Sequence, residues 1–398
     1  MIMPENDRAQ QTLFDSLRPP CPRLRPVHEG WRNRVRSFVD MEITPRLTEW
    51  EVEGTIPDSL YFRAVEHGIF GLGFPREIGG SGENADIYHR IILAEEMHRS
   101  GSGLVFADFG THWIGLPPVV NAGHKNLQQR IVRPVLEGRK RICFAITEPS
   151  GGSDVANLQT RAVRSGSEYR LHGTKTLISA AMRADYALVI ARTGDAGMRG
   201  LSLFVVDLDQ PGITRTPLPA LYWYNRNVGS LHFDGARVPA LQLLGQENRG
   251  FELLAWQLDI ERFSGIGAML GLSRYCLAEA INHCRGREAF GKTLLEHQVL
   301  RHRLVEMHRA VRSAYSYLDY CVEQMETGNS PAVDLALLKI TATRTLELCA
   351  REAMQMLAGG AYATGSRVER AYREARILAL AGGTEEILAG IAAKWLHL

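Results

Sequence analysis

Lysine is nearly missing from this 398-residue chain, occurring six times among 46 basic residues. Arginine fills the other basic positions, and 44 acidic residues leave a formal net charge of +2. So small an excess gives no electrostatic ground for a nucleic-acid partner. Cysteine is scarce too. Cys21, Cys143, Cys276, Cys284, Cys321 and Cys349 are scattered without a CxxC pair. That spacing argues against a zinc site or a disulfide frame and for reduced, buried thiols. No run approaches the roughly 18 apolar residues of a membrane span. The opening "MIMPENDR" is acidic and precedes no apolar stretch, so a secretory signal is not expected and the compartment is read as cytoplasmic. There is no GxSxG and no HExxH. His302, Glu306 and His308 share one helical stretch without further ligands, so no metal is expected. "GIGAMLG" at 265–271 looks like a dinucleotide loop but follows no strand; close helix packing is the better reading.

What is present is ordinary for a globular protein, with 45% hydrophobic and 23% charged residues. The length calls for more than one packed lobe. Residues 1–26 are rich in Pro and Arg and read as an irregular lead-in. Helical periodicity begins at Trp31 and runs, with a glycine-dense interruption at 71–86, to about 140. From about 141 to 240 the pattern changes to short alternating or β-branched runs bounded by Gly, Pro and Asp, with Ser165-Gly166-Ser167 as a hairpin tip. From 241 to 398 it is helical again. Leu335, Leu338, Ala342, Leu346, Cys349, Ala353 and Met356 form one apolar stripe, and Gly359-Gly360 should stop that helix. The expected fold class is α+β: an N-terminal all-α lobe (27–140), a middle antiparallel β lobe (141–240) and a C-terminal helical bundle (241–398).

Four segments carry chemistry in a fixed order: "CFAITEPSGGSDVANL" from Cys143, "GTKTLISAAMRADYALVIART" from Gly173, "RGREAFGKTLLEHQ" from Arg285, and "QMLAGGAYATGSRVERAYREARILALAGGTEEI" from Gln355. Small residues after a strand let backbone N–H groups approach an anion or a flat heterocycle. Together these segments resemble the acyl-CoA dehydrogenase family of flavoproteins over nearly the whole chain. The resemblance implies FAD, an acyl thioester of coenzyme A or an acyl carrier protein, an electron-transferring flavoprotein as acceptor, and a homotetramer. By position it implies that Thr147 bonds the flavin pyrimidine edge, that Ser179 lies near flavin N5, and that backbone around Ser153 adjoins FAD and substrate. Arg287 and Phe290 match positions that reach a neighbouring subunit's FAD. Gln355 and Gly359 fall in the adenine and pyrophosphate segment. Thr384 and Glu386 flank the loop for the flavin's phosphate and ribityl portion. Leu177 stands where a tryptophan is common, and "ALYWYNRNVGS" at 220–230 is unusually aromatic, so a substrate or carrier contact there competes with surface packing.

The α-C–H of a thioester is a poor acid, so its removal needs donors to the carbonyl and an aimed carboxylate. In most of the family that carboxylate is a glutamate immediately before Gly-Thr. Here the position is Gly382, in "LAGGTEEI". Glycine keeps the amide donor and loses the base. A minority of the family places the base on an earlier helix, in a Leu-Glu-Arg setting, and this chain reads Ile260-Glu261-Arg262 at the matching place. The resemblance therefore implies Glu261 as base, Arg262 as the residue that orders the substrate segment, and Gly382 as amide donor. Two other readings stay open: a family member turned to desulfination or flavin monooxygenation, and an inactive FAD-binding subunit of a hetero-oligomer.

Overall fold

A computed structural model describes residues 13–219, 226–329, 331–363 and 365–398. The chain forms two compact units, each assembled from separated stretches. One comprises Glu49–Ala85 and Leu104–Glu261; the other comprises Met1–Thr48, Asp86–Gly103 and Arg262–Leu398.

The first unit holds a sheet of eight strands: β1 (Ile142–Ala145), β2 (Arg161–Ser165), β3 (Glu168–Ile178), β4 (Tyr186–Arg192), β5 (Leu201–Asp207), β6 (Ile213–Pro217), β7 (Gly229–Pro239) and β8 (Leu243–Leu244). Their order is β6-β7-β3-β2-β4-β5-β8, with β1 alongside β4. Most neighbours are antiparallel, but β1 runs parallel to β4, pairing Ile142 with Tyr186. The hairpin at 165–168 forms as expected: Ser165 faces Glu168 across Gly166-Ser167, and Gly166 takes φ +63°. In β7 alternation holds, with Leu231, Phe233 and Val238 buried while His232, Asp234 and Arg237 are exposed. In β5 it does not: every residue from Leu201 to Val206 is buried. That strand lies between β4 and β8 and is covered on both faces, which hides the period of two. One face packs as Tyr169, Leu171, Phe204, Leu231 and Phe233. Against β1 runs the Leu104–Ala122 helix, where a Cβ on Gly115 would come within 3.1 Å of Ile142.

The second unit is helical. Its helices include Pro26–Phe38, Ile87–Met97, Gln298–Glu326, Ala332–Leu357, Arg367–Leu380 and Glu385–Trp395, together with most of Gly250–Gly286. The apolar stripe from Leu335 to Met356 is buried throughout. Its helix stops at Ala358, one residue before the glycine pair. "GIGAMLG" lies inside Gly250–Gly286: Cβ atoms on Gly267 and Gly271 would meet the carbonyls of Ile91 and Glu95 at 2.8 and 2.9 Å. These glycines allow two helices to nest and build no phosphate loop. Charge is buried here too. Glu95 accepts from Arg18 at 3.1 Å, Arg32 at 3.0 Å and Arg274 at 3.4 Å. All six cysteines are free; five are buried and Cys21 is partly exposed. No helix among the described residues is long and apolar enough to cross a membrane.

Candidate active site

In the sheet unit, Thr147 follows β1, and its carbonyl accepts the Thr176 amide at 2.8 Å. That bond exists because β3 is irregular: its pairing with β7 slips between Lys175 and Ile178. A bulge frees one amide from the ladder and re-aims the side chains beside it. Leu177 at the bulge takes φ +58° with about half its surface exposed, and Ala180 takes φ +61°. Ser179 lies between them. Left-handed backbone at two non-glycine residues is strained, and such strain clusters at functional sites. The next turn is drawn tight by Glu148 N–H to the Gly151 carbonyl at 3.0 Å and the reverse bond at 3.1 Å. Ser153, exposed, lies just beyond it. A Cβ on Gly152 would fall 3.2 Å from the Thr147 methyl group.

Under this loop is a buried ion pair. The Lys175 ammonium donates to Glu148 Oε1 and to the Ile146 carbonyl, both at 2.8 Å. The Glu148 carboxylate also accepts the amides of Gln159 at 2.6 Å and Thr160 at 2.9 Å. Burial pushes the Lys175 ammonium down to about 8. Burial acts the other way on Glu148, but Lys175 and the amides outweigh it and hold the carboxyl below its ordinary range. The pair fixes the residue next to Thr147.

Glu261 and Arg262 are consecutive on the Gly250–Gly286 helix, and both are half-buried. Arg262 Nε donates to the Gly382 carbonyl at 3.2 Å. Gly382 follows the Arg367–Leu380 helix with φ +70°, and Gly383 takes φ +104°. A left-handed residue after a helix end is where glycine is cheapest. A Cβ at 382 would meet nothing closer than Arg262 Cγ, at 4.0 Å, so conformation and not space favours glycine there. Thr384 caps the Glu385–Trp395 helix by accepting the Ile387 amide at 3.4 Å. Glu386 is exposed in the first turn, its carboxyl held below the usual range by its own amide and by the Thr384 hydroxyl. Glu385 pairs with Arg344 at 3.1 Å, so it is engaged away from any base role.

Arg287 and Phe290 belong to a two-stranded hairpin, β9 (Glu288–Ala289) with β10 (Lys292–Thr293). The Arg287 carbonyl accepts the Leu294 amide at 2.7 Å. Phe290 and Gly291 form the tip at φ +55° and +79°, a pair of angles usually given to Asn-Gly. The Phe290 side chain is 96% exposed. Its ring meets His297 edge-on with centroids 6.2 Å apart and is otherwise left to solvent. Gln355 lies exposed near the end of the Ala332–Leu357 helix. Ala358 takes φ +52° and ψ −132°, and Cβ atoms on Gly359 or Gly360 would meet nothing within 4 Å. Internal packing therefore does not demand those glycines, and the backbone there is open to close approach.

FAD fits these residues. The hydroxyls of Thr147, Ser153 and Ser179 bond to no described residue and are open to a heterocycle's polar edge. The Tyr222-Trp223-Tyr224 segment lies outside the described residues. Sequence reasoning brought out the loop residues and missed the two lysines beneath them, Lys175 and Lys339. A rare residue type, lysine, within the strand run "HGTKTLI" and the mostly apolar helical run "LALLKITA" was the available signal.

Comparison with known proteins agrees along the chain. Residues 25–139, 143–236 and 248–397 match the families described as acyl-CoA dehydrogenase N-terminal, middle and C-terminal domains. A curated acyl-CoA dehydrogenase, AFT10-1 of Alternaria alternata, is 33% identical over 93% of this chain and 91% of its own length. The mitochondrial long-chain specific acyl-CoA dehydrogenase of Sus scrofa is 29% identical over 92% and 86%. The crystal structure of a probable acyl-CoA dehydrogenase from Mycobacterium abscessus superposes with a TM-score of 0.90 at 38% identity, covering 94% of this chain and 99% of that one.

Proposed function

The chain belongs to the acyl-CoA dehydrogenase family of FAD-dependent oxidoreductases, and from that premise we propose how its residues dehydrogenate an acyl thioester. The Glu261 carboxylate takes the α-proton. The Gly382 amide donates to the thioester carbonyl and stabilises the negative charge that develops there. FAD, when bound, would supply the two-electron acceptor for the β-hydrogen, lost as hydride, so that with the α-proton on Glu261 the product would be the trans-2-enoyl thioester. Thr147 and Ser179 orient the flavin edge and backbone at Ser153 borders it. Gln355, Gly359, Thr384 and Glu386 bound its phosphate and adenine portions. Desolvation by the acyl chain strengthens Glu261 as a base.

The observation that supports this assignment is the hydrogen bond from Arg262 to the Gly382 carbonyl. It ties the residue next to Glu261 to the glycine standing where most relatives carry the base. Phe290 and Arg287 reach a neighbouring subunit's FAD, so the working form is a homotetramer, located in the cytoplasm and passing electrons to an electron-transferring flavoprotein. A relative 29% identical to this chain, the Caffeyl-CoA reductase-Etf complex subunit CarC of Acetobacterium woodii, supports this acceptor.

The test is anaerobic bleaching of the oxidised-FAD absorbance by a panel of acyl-CoAs and acyl-carrier-protein thioesters. Rapid bleaching of wild type that is lost in Glu261→Gln supports the base. Bleaching that persists in Glu261→Gln overturns it.

A further inference from the structure

We propose that Lys339 is a positioning residue for the dehydrogenation, clamping the Ala379–Gly383 turn so that the Gly382 amide is held on the thioester carbonyl. The proposal rests on the role given to Gly382 above.

Lys339 lies in the apolar stripe of the Ala332–Leu357 helix and is 2% exposed. Its Nζ donates to two main-chain carbonyls, Ala379 at 2.8 Å and Gly383 at 2.9 Å. Ala379 belongs to the last turn of the Arg367–Leu380 helix, whose final carbonyls lack partners within the helix. Gly383 immediately precedes Thr384, which caps the next helix. One ammonium thus spans the connection between two helices. Arg262 holds the intervening Gly382 carbonyl at 3.2 Å. Two cations therefore fix three carbonyls within five residues.

The clamp matters because of what it holds. Gly382 and Gly383 both have left-handed backbone, and glycine is the residue freest to leave it. Holding such residues in one conformation carries an entropic cost that the clamp's bonds offset. A peptide unit is planar, so a pinned carbonyl also pins the N–H of the following residue. The Gly382 amide shares its plane with the Ala381 carbonyl, which is not one of these three, so its peptide is braced from both sides. The Ala379 carbonyl and the Ala381 N–H, which donates to the Ile377 carbonyl at 2.8 Å, are fixed before it, and the carbonyls of Gly382 and Gly383 after it. A catalytic donor must be aimed before charge develops on its acceptor.

The residue type is informative. Of six lysines, Lys125, Lys140, Lys292 and Lys394 are exposed; only Lys175 and Lys339 are buried. Arginine supplies nearly every other basic position. A compact tetrahedral ammonium can sit between two carbonyls in a packed core, where a planar guanidinium needs a wider, forked site. In a chain that otherwise uses arginine, lysine is retained at these two places.

The test uses the FAD-loaded enzyme, Lys339→Met and Lys339→Gln, with carbon-13 carbonyl-labelled crotonyl-CoA and dodecenoyl-CoA as probes. Difference infrared spectroscopy reads the red shift of the thioester carbonyl on binding, a direct measure of the hydrogen bonds it accepts. Expected for Lys339→Met is normal FAD content, a smaller red shift, and kcat lower by roughly 10–100-fold with KM changed less. Lys339→Gln, which keeps one donor, should fall between the two. A wild-type red shift and kcat in Lys339→Met would overturn the proposal. So would loss of fold or of FAD in both variants, which assigns Lys339 to structure alone. A wild type that no acyl thioester bleaches fails at the proposed function instead, before any variant is compared.

Discussion

Removing the Lys175 ammonium should be costly in a way that removing both members of its pair is not. The side chains of Lys175 and Glu148 are 0% and 3% exposed and meet at 2.8 Å. In Lys175→Met the Glu148 carboxylate stays buried without its cation, a change that costs about 3–5 kcal/mol in comparable pairs. The Ile146 carbonyl loses its donor as well, adding about 1–3 kcal/mol. The Gln159 and Thr160 amides stay on the carboxylate in both proteins, so they cancel in the difference, but they keep the cost at the low end of its range. The net expectation is a loss of about 4 kcal/mol. Urea unfolding followed by far-ultraviolet circular dichroism measures it. Glu148→Gln combined with Lys175→Met should recover about half, because no uncompensated charge remains and the coupling within such a pair is on the order of 1–3 kcal/mol. FAD retention should fall in parallel in the single variant, since Glu148 adjoins Thr147. A loss below about 1 kcal/mol in Lys175→Met, or a double variant as unstable as the sum of the singles, would refute the reasoning.

Two further outcomes can be measured independently. Ala358 holds φ +52° and ψ −132° with its side chain exposed, so Ala358→Gly should relieve about 1 kcal/mol of strain; a raised urea midpoint at unchanged slope confirms this and a lowered one contradicts it. Burial alone would raise the Glu95 carboxyl, but Arg18, Arg32 and Arg274 outweigh it and bring it down to about 2. Its ordinary value is 4.5, so between the two the folded state binds fewer protons than the unfolded. The stabilisation is complete above 4.5 and is lost as pH falls toward 2, on the order of 3 kcal/mol in total. Glu95→Gln should flatten that part of the acid-unfolding profile while lowering stability at pH 7.

Much of this molecule was legible in the residues, and the rest was hidden for identifiable reasons. The Leu335–Met356 stripe showed because one face of that helix packs and the other does not. The hairpin at Gly166 showed because a two-residue turn needs positive φ. By contrast, the two-sided burial of Leu201–Val206 erases the period that reveals a strand. The bulge at Lys175–Ile178 leaves no mark in composition, since Leu177 is not a residue that left-handed backbone normally selects. The motif residues around Thr147, Arg287 and Gly382 could be found because they are strung along short segments. Lys175 and Lys339 could not be found that way, because their partners are main-chain carbonyls and a carboxylate that only the folded chain brings to them. The placement of Glu261 as base remains the proposal that bleaching must decide.

The buried thiols have a practical consequence. Burial pushes the Cys143 and Cys321 thiols up to about 12 and raises those of Cys276, Cys284 and Cys349 as well. At pH 8 a thiol of pKa 12 is thiolate in about one molecule in ten thousand, and the thiolate is the form that reacts. Alkylation in the folded state therefore waits on opening. Cys143 belongs to the sheet unit, and Cys276, Cys284, Cys321 and Cys349 to the helical one. Partly exposed Cys21 supplies the fast reference. Peptide-resolved alkylation rates thus report when each unit opens, with labels the chain already carries, and adding FAD should slow whichever unit the cofactor braces.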